Sequence, residues 1–262
     1  MVCPTPIGNL EDVTLRVLSA LRSADVVACE DTRRTRVLLD RYGVSATLVS
    51  YHEHNERERS AELVRRMTAG ETVALVSDAG MPLVSDPGYV LVQACVAAGL
   101  EVEVLPGPSA ALAALVASGL PGETWRFVGF LPRKRGELSE VFAAPETVVA
   151  FESPRRLGAS LAVLAELDAN RPAAVCRELT KVHEEVVRGT ASELAARFAG
   201  AEVRGEIVLV VGGADVAAGE LGAAVDALRR LVEAGAKARP AAAVVAELTG
   251  VSANDLYRAL TQ

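Results

Sequence analysis

The chain is predicted to be an α/β protein with an internal break and an all-helical end. Three observations carry this. Short β-branched runs alternate with Ala/Leu/Arg helical stretches. The Ser-Gly-Leu-Pro-Gly-Glu-Thr segment at 118–124 interrupts the alternation just before a fresh strand. Beyond Gly-Gly-Ala-Asp at 212–215, the sequence holds no further strand-like run. The chain therefore divides into α/β segments 1–118 and 119–214 and a helical tail, 220–262.

Taken in order, strands are expected at 26–29, 46–50, 72–76, 101–105, 126–130, 147–151, 172–176 and 206–211. Helices are expected at 14–23, 33–41, 56–69, 88–98, 109–117, 154–167 and 192–199. In the tail, a helix at 241–248, a turn at 249–252 with Ser252 as N-cap, and a helix at 253–260 outline a helix-turn-helix. Lys237, Arg239 and Arg258 flank it, a pattern of nucleic-acid contact that an ordinary αα-hairpin also presents.

With 262 residues, half of them hydrophobic, the chain can bury a substantial core. Lys+Arg 27 against Asp+Glu 34 leaves a net charge of −7, which excludes a disordered chain and a uniformly basic nucleic-acid coat. Cysteines at 3, 29, 95 and 176 form no C-x-x-C or zinc spacing, so buried, reduced thiols and a cytoplasmic location are expected. The N-terminus lacks the features of a signal peptide, and the longest apolar stretch, 110–120, is too short for a membrane span.

Three Gly/Pro-rich segments stand at predicted strand ends: Pro-Thr-Pro-Ile-Gly-Asn-Leu at 4–10, Ser-Asp-Ala-Gly-Met-Pro-Leu-Val-Ser-Asp-Pro-Gly at 77–88, and Leu-Pro-Gly-Pro-Ser-Ala at 105–110. Ligands of open α/β sheets bind outside the carboxyl ends of strands, where glycine admits close backbone approach and proline stiffens the loop. One such loop is an ordinary turn; three together favour a cofactor cleft. The G-x-G-x-x-G, G-x-x-x-x-G-K-[ST] and G-x-S-x-G patterns are all missing, which disfavours dinucleotide, P-loop and α/β-hydrolase sites.

Glu30 and Asp31 end a predicted strand, and Arg33, Arg34 and Arg36 open the next helix. Those carboxylates suit a general base and those arginines suit phosphate oxygens; a helix cap with a solvated basic face fits equally well. His52 and His54 would share one side of an extended segment, but no third ligand accompanies them, so a polar substrate loop is preferred to a metal site. Phe-Glu-Ser-Pro-Arg-Arg at 151–156, Arg-Glu-Leu-Thr-Lys at 177–181 and Arg-Gly-Glu at 204–206 sit at strand ends. Arg133, Lys134 and Arg135 fall on a predicted loop suited to a phosphate backbone.

These segments, with Gly-Phe-Leu-Pro at 129–132, occur in an order that resembles the rRNA-methylating branch of the tetrapyrrole methylase superfamily, from about residue 2 to the C-terminus. The resemblance implies a two-lobed, tetrapyrrole-methylase-like (class III methyltransferase) α/β fold with a small C-terminal helical module, commonly a homodimer. It implies S-adenosylmethionine bound between the lobes and 2′-O-methylation of a cytidine ribose in the decoding region of 16S rRNA, on naked RNA or the assembled small subunit. It places donor contacts at Pro6, Asp78, Ala79, Gly80, Met81, Ser109, Ala110, Phe151, Glu152, Leu179, Gly205 and Glu206. In related methylases a strand-end carboxylate serves in the active site where Glu30 stands here; Glu30 is thus the first-choice base, with Asp31, His52 and His54 as substitutes, and no metal is required. RNA contacts are expected from Arg33, Arg34, Arg133, Lys134 and Arg135, and from Lys237 and Arg239 in the tail. The chain departs from the family pattern in having only three residues before Pro-Thr-Pro, so that either the start of the chain is placed late or the edge of the first lobe is shortened, and in Phe151 and Arg155 where Tyr and His are usual. Two other readings stand beside it: a porphyrinoid C-methyltransferase, and a helix-turn-helix RNA or ribosome-assembly binder with a vestigial cleft.

Overall fold

The computed structural model describes residues 1–214 and 218–260. A 3-10 turn at Leu10–Asp12 leads into α1 (Leu15–Ser23), β1 (Val26–Cys29), α2 (Thr32–Arg41), β2 (Leu48–Ser50), α3 (Glu56–Thr68), β3 (Val73–Val76) and α4 (Tyr89–Ala97). β1 lies between β2 and β3, parallel to both. β1 and β3 are apolar and buried at every residue, as parallel strands covered on both faces must be.

Past β3 the sheet continues only as single-residue pairings. Val2 bridges Leu75 on one side and Val104 on the other, both in parallel sense. Residues 1–3, few as they are, thus take the first-strand place. The strand expected at 101–105 is corrected to an extended segment bridged at Val104 alone. Its neighbour is too short to sustain a ladder: Val2 donates to the Glu103 carbonyl and accepts from the Leu105 amide.

The second half holds α5 (Ala110–Ser118), β4 (Trp125–Phe130), α6 (Arg135–Phe142), β5 (Thr147–Glu152), α7 (Leu157–Leu167), β6 (Pro172–Arg177), β7 (Glu185–Thr190), α8 (Ala191–Phe198) and β8 (Ile207–Val211). Its sheet order is β4-β5-β8-β6-β7; β4 and β5 run parallel and the other neighbours antiparallel. One face is covered by α6, α7 and α8 through Phe142, Leu157, Leu161, Leu164 and Leu194. The other face meets α5, whose Ala111, Ala114 and Leu115 pack with Val149, Ala174, Val208 and Val210. Arg188 of β7 reaches across to cap the end of α5, its Nε donating to the carbonyls of Ala117 (3.0 Å) and Ser118 (3.1 Å). Although α5 precedes the 118–124 break in sequence, it therefore packs with the sheet on the far side of that break.

The tail comprises α9 (Ala218–Glu233), α10 (Ala238–Thr249) and α11 (Ala253–Leu260) around Leu228, Ala242, Val245, Val251 and Leu256. Gly250, at φ +73, closes α10 in the left-handed conformation. The helix expected at 241–248 begins three residues earlier, at Ala238. Asp215 of the second expected boundary and residues 261–262 of the expected tail lie outside the described residues. Among the described residues, no helix is long and apolar enough to cross a membrane, and all four cysteines are free and buried.

Candidate active site

A cleft of about 340 Å³ lies between the loops of the first half and the second sheet, a volume that suits a small organic ligand. Its first wall is the loop after β3. Thr5 and Gly80 exchange backbone hydrogen bonds, each 2.9 Å, and the Thr5 hydroxyl donates to the Ser77 carbonyl at 3.0 Å. Gly80 accommodates φ +78 there, while Leu83 (φ +72) and Ser85 (φ +64) hold left-handed backbone without glycine's freedom, a strain of order 1–3 kcal/mol each. Ala79, Gly80, Met81, Val84, Ser85 and Asp86 line the cleft from this loop, and Ser109 and Ala110 line it from the N-terminus of α5.

The second wall grows from strand ends. Phe151 of β5 meets Phe127 and Phe130 edge to face, with centroids 5.0 and 5.5 Å apart. Phe130 remains 63% exposed at the mouth. Glu152 is buried, but its carboxylate accepts from the Ser153 amide (2.7 Å) and the Ser160 hydroxyl (2.5 Å) and faces Arg156 (3.4 Å). Arg156 in turn donates to the carbonyls of Leu131 (3.1 Å) and Pro132 (2.6 Å), tying two strand ends together. Further along, the Lys181 ammonium sits 2.8 Å from Glu178 and 2.9 Å from Glu206. Gly205 needs its φ of +93 and its missing side chain, since a Cβ would lie 2.5 Å from the Glu178 carboxyl carbon.

Of the donor contacts expected from sequence, Ala79, Gly80, Met81, Ser109, Ala110, Phe151, Glu152, Leu179, Gly205 and Glu206 line the cleft. Pro6 and Asp78 do not. Pro6 is buried, and the Asp78 carboxylate accepts from the Asp31 amide (3.0 Å) and faces Arg34 (3.5 Å). None of Glu30, Asp31, His52 and His54 lines it either. Asp31 caps α2, accepting from the Arg33 amide at 2.8 Å, and its side chain pairs with the Arg33 guanidinium at 2.7 Å. Those bonds hold its carboxyl down at about 2. Glu30 is pushed above the ordinary carboxylate range, first by burial and then by the Asp78 charge, with Arg34 and His52 pulling the other way. His52 and His54 lie in a turn rather than the extended segment expected, because Asn55 folds back to accept from the His52 amide at 2.9 Å. Among the described residues, no cluster of three or more His, Cys, Asp or Glu is placed to hold a metal.

The expected RNA contacts divide by partner. Arg33 and Arg34 are exposed but paired with Asp31 and Asp78. Lys134 pairs with Glu137 at 2.8 Å and Arg135 with Glu166, and both border α6 instead of an open loop. Arg133 is exposed. Lys237 precedes α10, and Arg239 stacks 5.5 Å over the Tyr257 ring. Sequence reasoning missed Asp86, Phe130 and Cys176 as lining residues. Asp86 stands inside the Ser-Asp-Pro-Gly stretch already singled out, so a signal was present.

A cleft fed by strand-end loops of both halves defines the class as a two-sheet methyltransferase fold. It is shared by uroporphyrin-III C-methyltransferase from Thermus thermophilus (TM-score 0.59, 24% identity, covering 80% of this chain and 92% of that one). A cobalt precorrin-4 methyltransferase shares it too (TM-score 0.60, 19% identity, 80% and 92%). Residues 2–195 match the family described as Tetrapyrrole (Corrin/Porphyrin) Methylases. Relatives named Ribosomal RNA small subunit methyltransferase I are 50% identical in Mesorhizobium japonicum (98% of this chain, 90% of the relative) and 43% in Escherichia coli (98% and 92%). The chain belongs to this methyltransferase family, within the tetrapyrrole methylases.

Proposed function

We propose that this protein methylates the 2′ hydroxyl of a cytidine ribose in the decoding region of 16S rRNA, with S-adenosylmethionine as methyl donor. One observation carries the reading: in a chain of this family, strand-end loops from both halves converge on a single cleft of ligand size. The residues present suit the donor. Phe130, Phe151, Met81 and Val208 offer apolar surface for a nucleoside, and the Gly80 and Gly205 backbones come close to the space it would fill. A thermophilic relative of the same fold has been crystallised with the demethylated donor. When bound, S-adenosylmethionine supplies a methyl group already activated by its positive sulfur.

What remains for the chain is to hold the acceptor oxygen in line, about 3 Å from that carbon, to exclude water and to accept a proton. Of the strand-end acceptors expected from sequence, Asp31 is engaged by the N-terminus of α2, and Glu30, His52 and His54 stand outside the residues that line the cleft. Arg33 and Arg34 in the first half, Arg133, Lys134 and Arg135 in the second, and Lys237 and Arg239 on the tail are assigned to RNA phosphates, so that a net −7 molecule docks through local basic surface. The division at 1–118, 119–214 and 220–262, a homodimer, binding to the assembled subunit and a cytoplasmic location belong to the same reading. The decisive experiment incubates labelled donor with small subunits lacking the modification and locates the label by nuclease digestion and mass spectrometry. Label on a cytidine ribose supports the proposal. Label on a porphyrinoid and none on the subunit overturns it in favour of carbon methylation, and failure to bind donor by calorimetry overturns it in favour of a binding protein.

A further inference from the structure

We propose that Asp86, and not a residue at the end of β1, is the catalytic base that accepts the proton of the acceptor hydroxyl. The inference rests on methyl transfer to oxygen as read above. Among the described residues, four ionisable side chains line the cleft: Asp86, Glu152, Cys176 and Glu206. Three are unfit for proton transfer. Glu152 is held by Ser160, the Ser153 amide and Arg156. Glu206 is held by Lys181. Cys176 points its thiol at the Ala114 carbonyl (3.8 Å), and burial pushes that thiol up to about 11, leaving it neutral.

Asp86 differs from all three. Among the described residues no cation is paired with it; the groups that act on it are the Ser77 hydroxyl and the carboxylates of Glu30 and Asp78. Burial first, and the charge of Glu30 second, push it up to about 6, near the pH at which a base both persists unprotonated and attracts a proton. Its backbone lies between left-handed Ser85 and the fixed φ of Pro87, in a loop tied down by the Thr5–Gly80 pairing. Glu30 lies outside the cleft and acts on Asp86 through its charge, which makes it a positioning residue.

The step balances without further reagents. The O–H bond of the hydroxyl breaks and its proton passes to a carboxylate oxygen of Asp86; the oxygen's electron pair forms the new bond to the methyl carbon, and the C–S pair stays with sulfur. The test compares wild type, Asp86→Asn, Asp86→Glu and Glu30→Gln by single-turnover methylation of unmodified small subunits over about pH 5 to 9. It adds calorimetry of the donor and carboxyl-carbon NMR titration of the ligand-free proteins. Wild type is expected to show a rate limb and a resonance that both titrate near 6. Asp86→Asn is expected to lose both, with a fall of about 10²–10⁴-fold in rate but donor affinity within about threefold. Asp86→Glu restores part of the rate, and Glu30→Gln moves the limb to lower pH. An Asp86→Asn enzyme with the wild-type profile overturns the assignment. So does a defect confined to donor affinity, which would make Asp86 a counter-charge for the sulfonium. A wild type inert toward subunits while binding donor overturns the underlying reading, and this inference with it.

Discussion

The two walls of the cleft are built on opposite terms. Both walls hold left-handed backbone without glycine, at Leu83 and Ser85 on the first and at Glu178 and Thr180 on the second, but the first is electrostatically unbalanced: Asp86 has acids for neighbours. The wall from the second half is neutralised. Every carboxylate there has a partner: Glu152 has Arg156 and Ser160, and Glu178 and Glu206 share Lys181. With Asp86 as the proposed base, the contrast puts proton chemistry on one wall and ligand shape on the other. The uncompensated charge stands on one wall only, and its cost is offset by packing elsewhere.

Substitutions can break or sharpen that contrast. The largest effect on activity is expected at Asp86, about 10²–10⁴-fold, where activity and stability should move in opposite directions. Its folded-state affinity for a proton exceeds that of an unfolded aspartate, so the charged form is penalised by folding. The penalty is absent at pH well below 4, grows as pH rises toward 6 and is complete above it. Asp86→Asn should therefore stabilise the fold by about 1–3 kcal/mol in urea at pH 8 and leave it unchanged at pH 3. Equal effects at both pH values would refute the imbalance. Glu152→Ala comes next, with a loss of about 2–4 kcal/mol in chemical denaturation, because it leaves Arg156 and Ser160 without their buried acceptor.

Gly205→Ala should cost about 1–3 kcal/mol and weaken donor binding in calorimetry, since the new methyl meets Glu178 from a strained backbone. Lys181→Met ranks last, at under about 1 kcal/mol, because Glu206 is largely solvated. Glu178 is held below its ordinary range chiefly by Lys181, so this contribution is full above the unfolded-state value and disappears as pH falls through the folded one. Wild type and variant should converge in acid. A gap that widens there would show that the second wall is not neutralised as described.

Much of this was legible in the sequence because its signals are local. Glycine and proline at strand ends mark cleft loops whatever the rest of the chain does, and ten of the twelve positions that the family resemblance named as donor contacts line the cleft. What stayed hidden depends on distant partners. Nothing in Ser-Asp-Pro-Gly reveals that Asp86 would lack a cation, whereas at Glu-Asp-Thr-Arg the helix cap weighed beside the general base is what Asp31 forms. β7 was missed because Glu-Val-Val-Arg-Gly-Thr is half polar, and it forms as an edge strand paired only with β6. α6 was missed because it opens on Arg-Gly, yet Leu138 and Phe142 bury into the second core. The 101–105 run failed in the opposite sense: it has strand-like residues but almost nothing alongside to pair with.

One helix sets the gauge between the walls. α5 begins at the cleft with Ser109 and Ala110 and then lies flat on the second sheet through Ala111 and Ala114, which are almost completely buried. Its slenderness is a matter of composition, Ala-Ala-Leu-Ala-Ala-Leu-Val-Ala-Ser, and so is the distance at which it stands from β8 and β6. A single methyl group added beneath it, as in Ala114→Val, would act like a shim, spreading the jaws by a fraction of an ångström and retuning affinity from a site that no ligand ever meets.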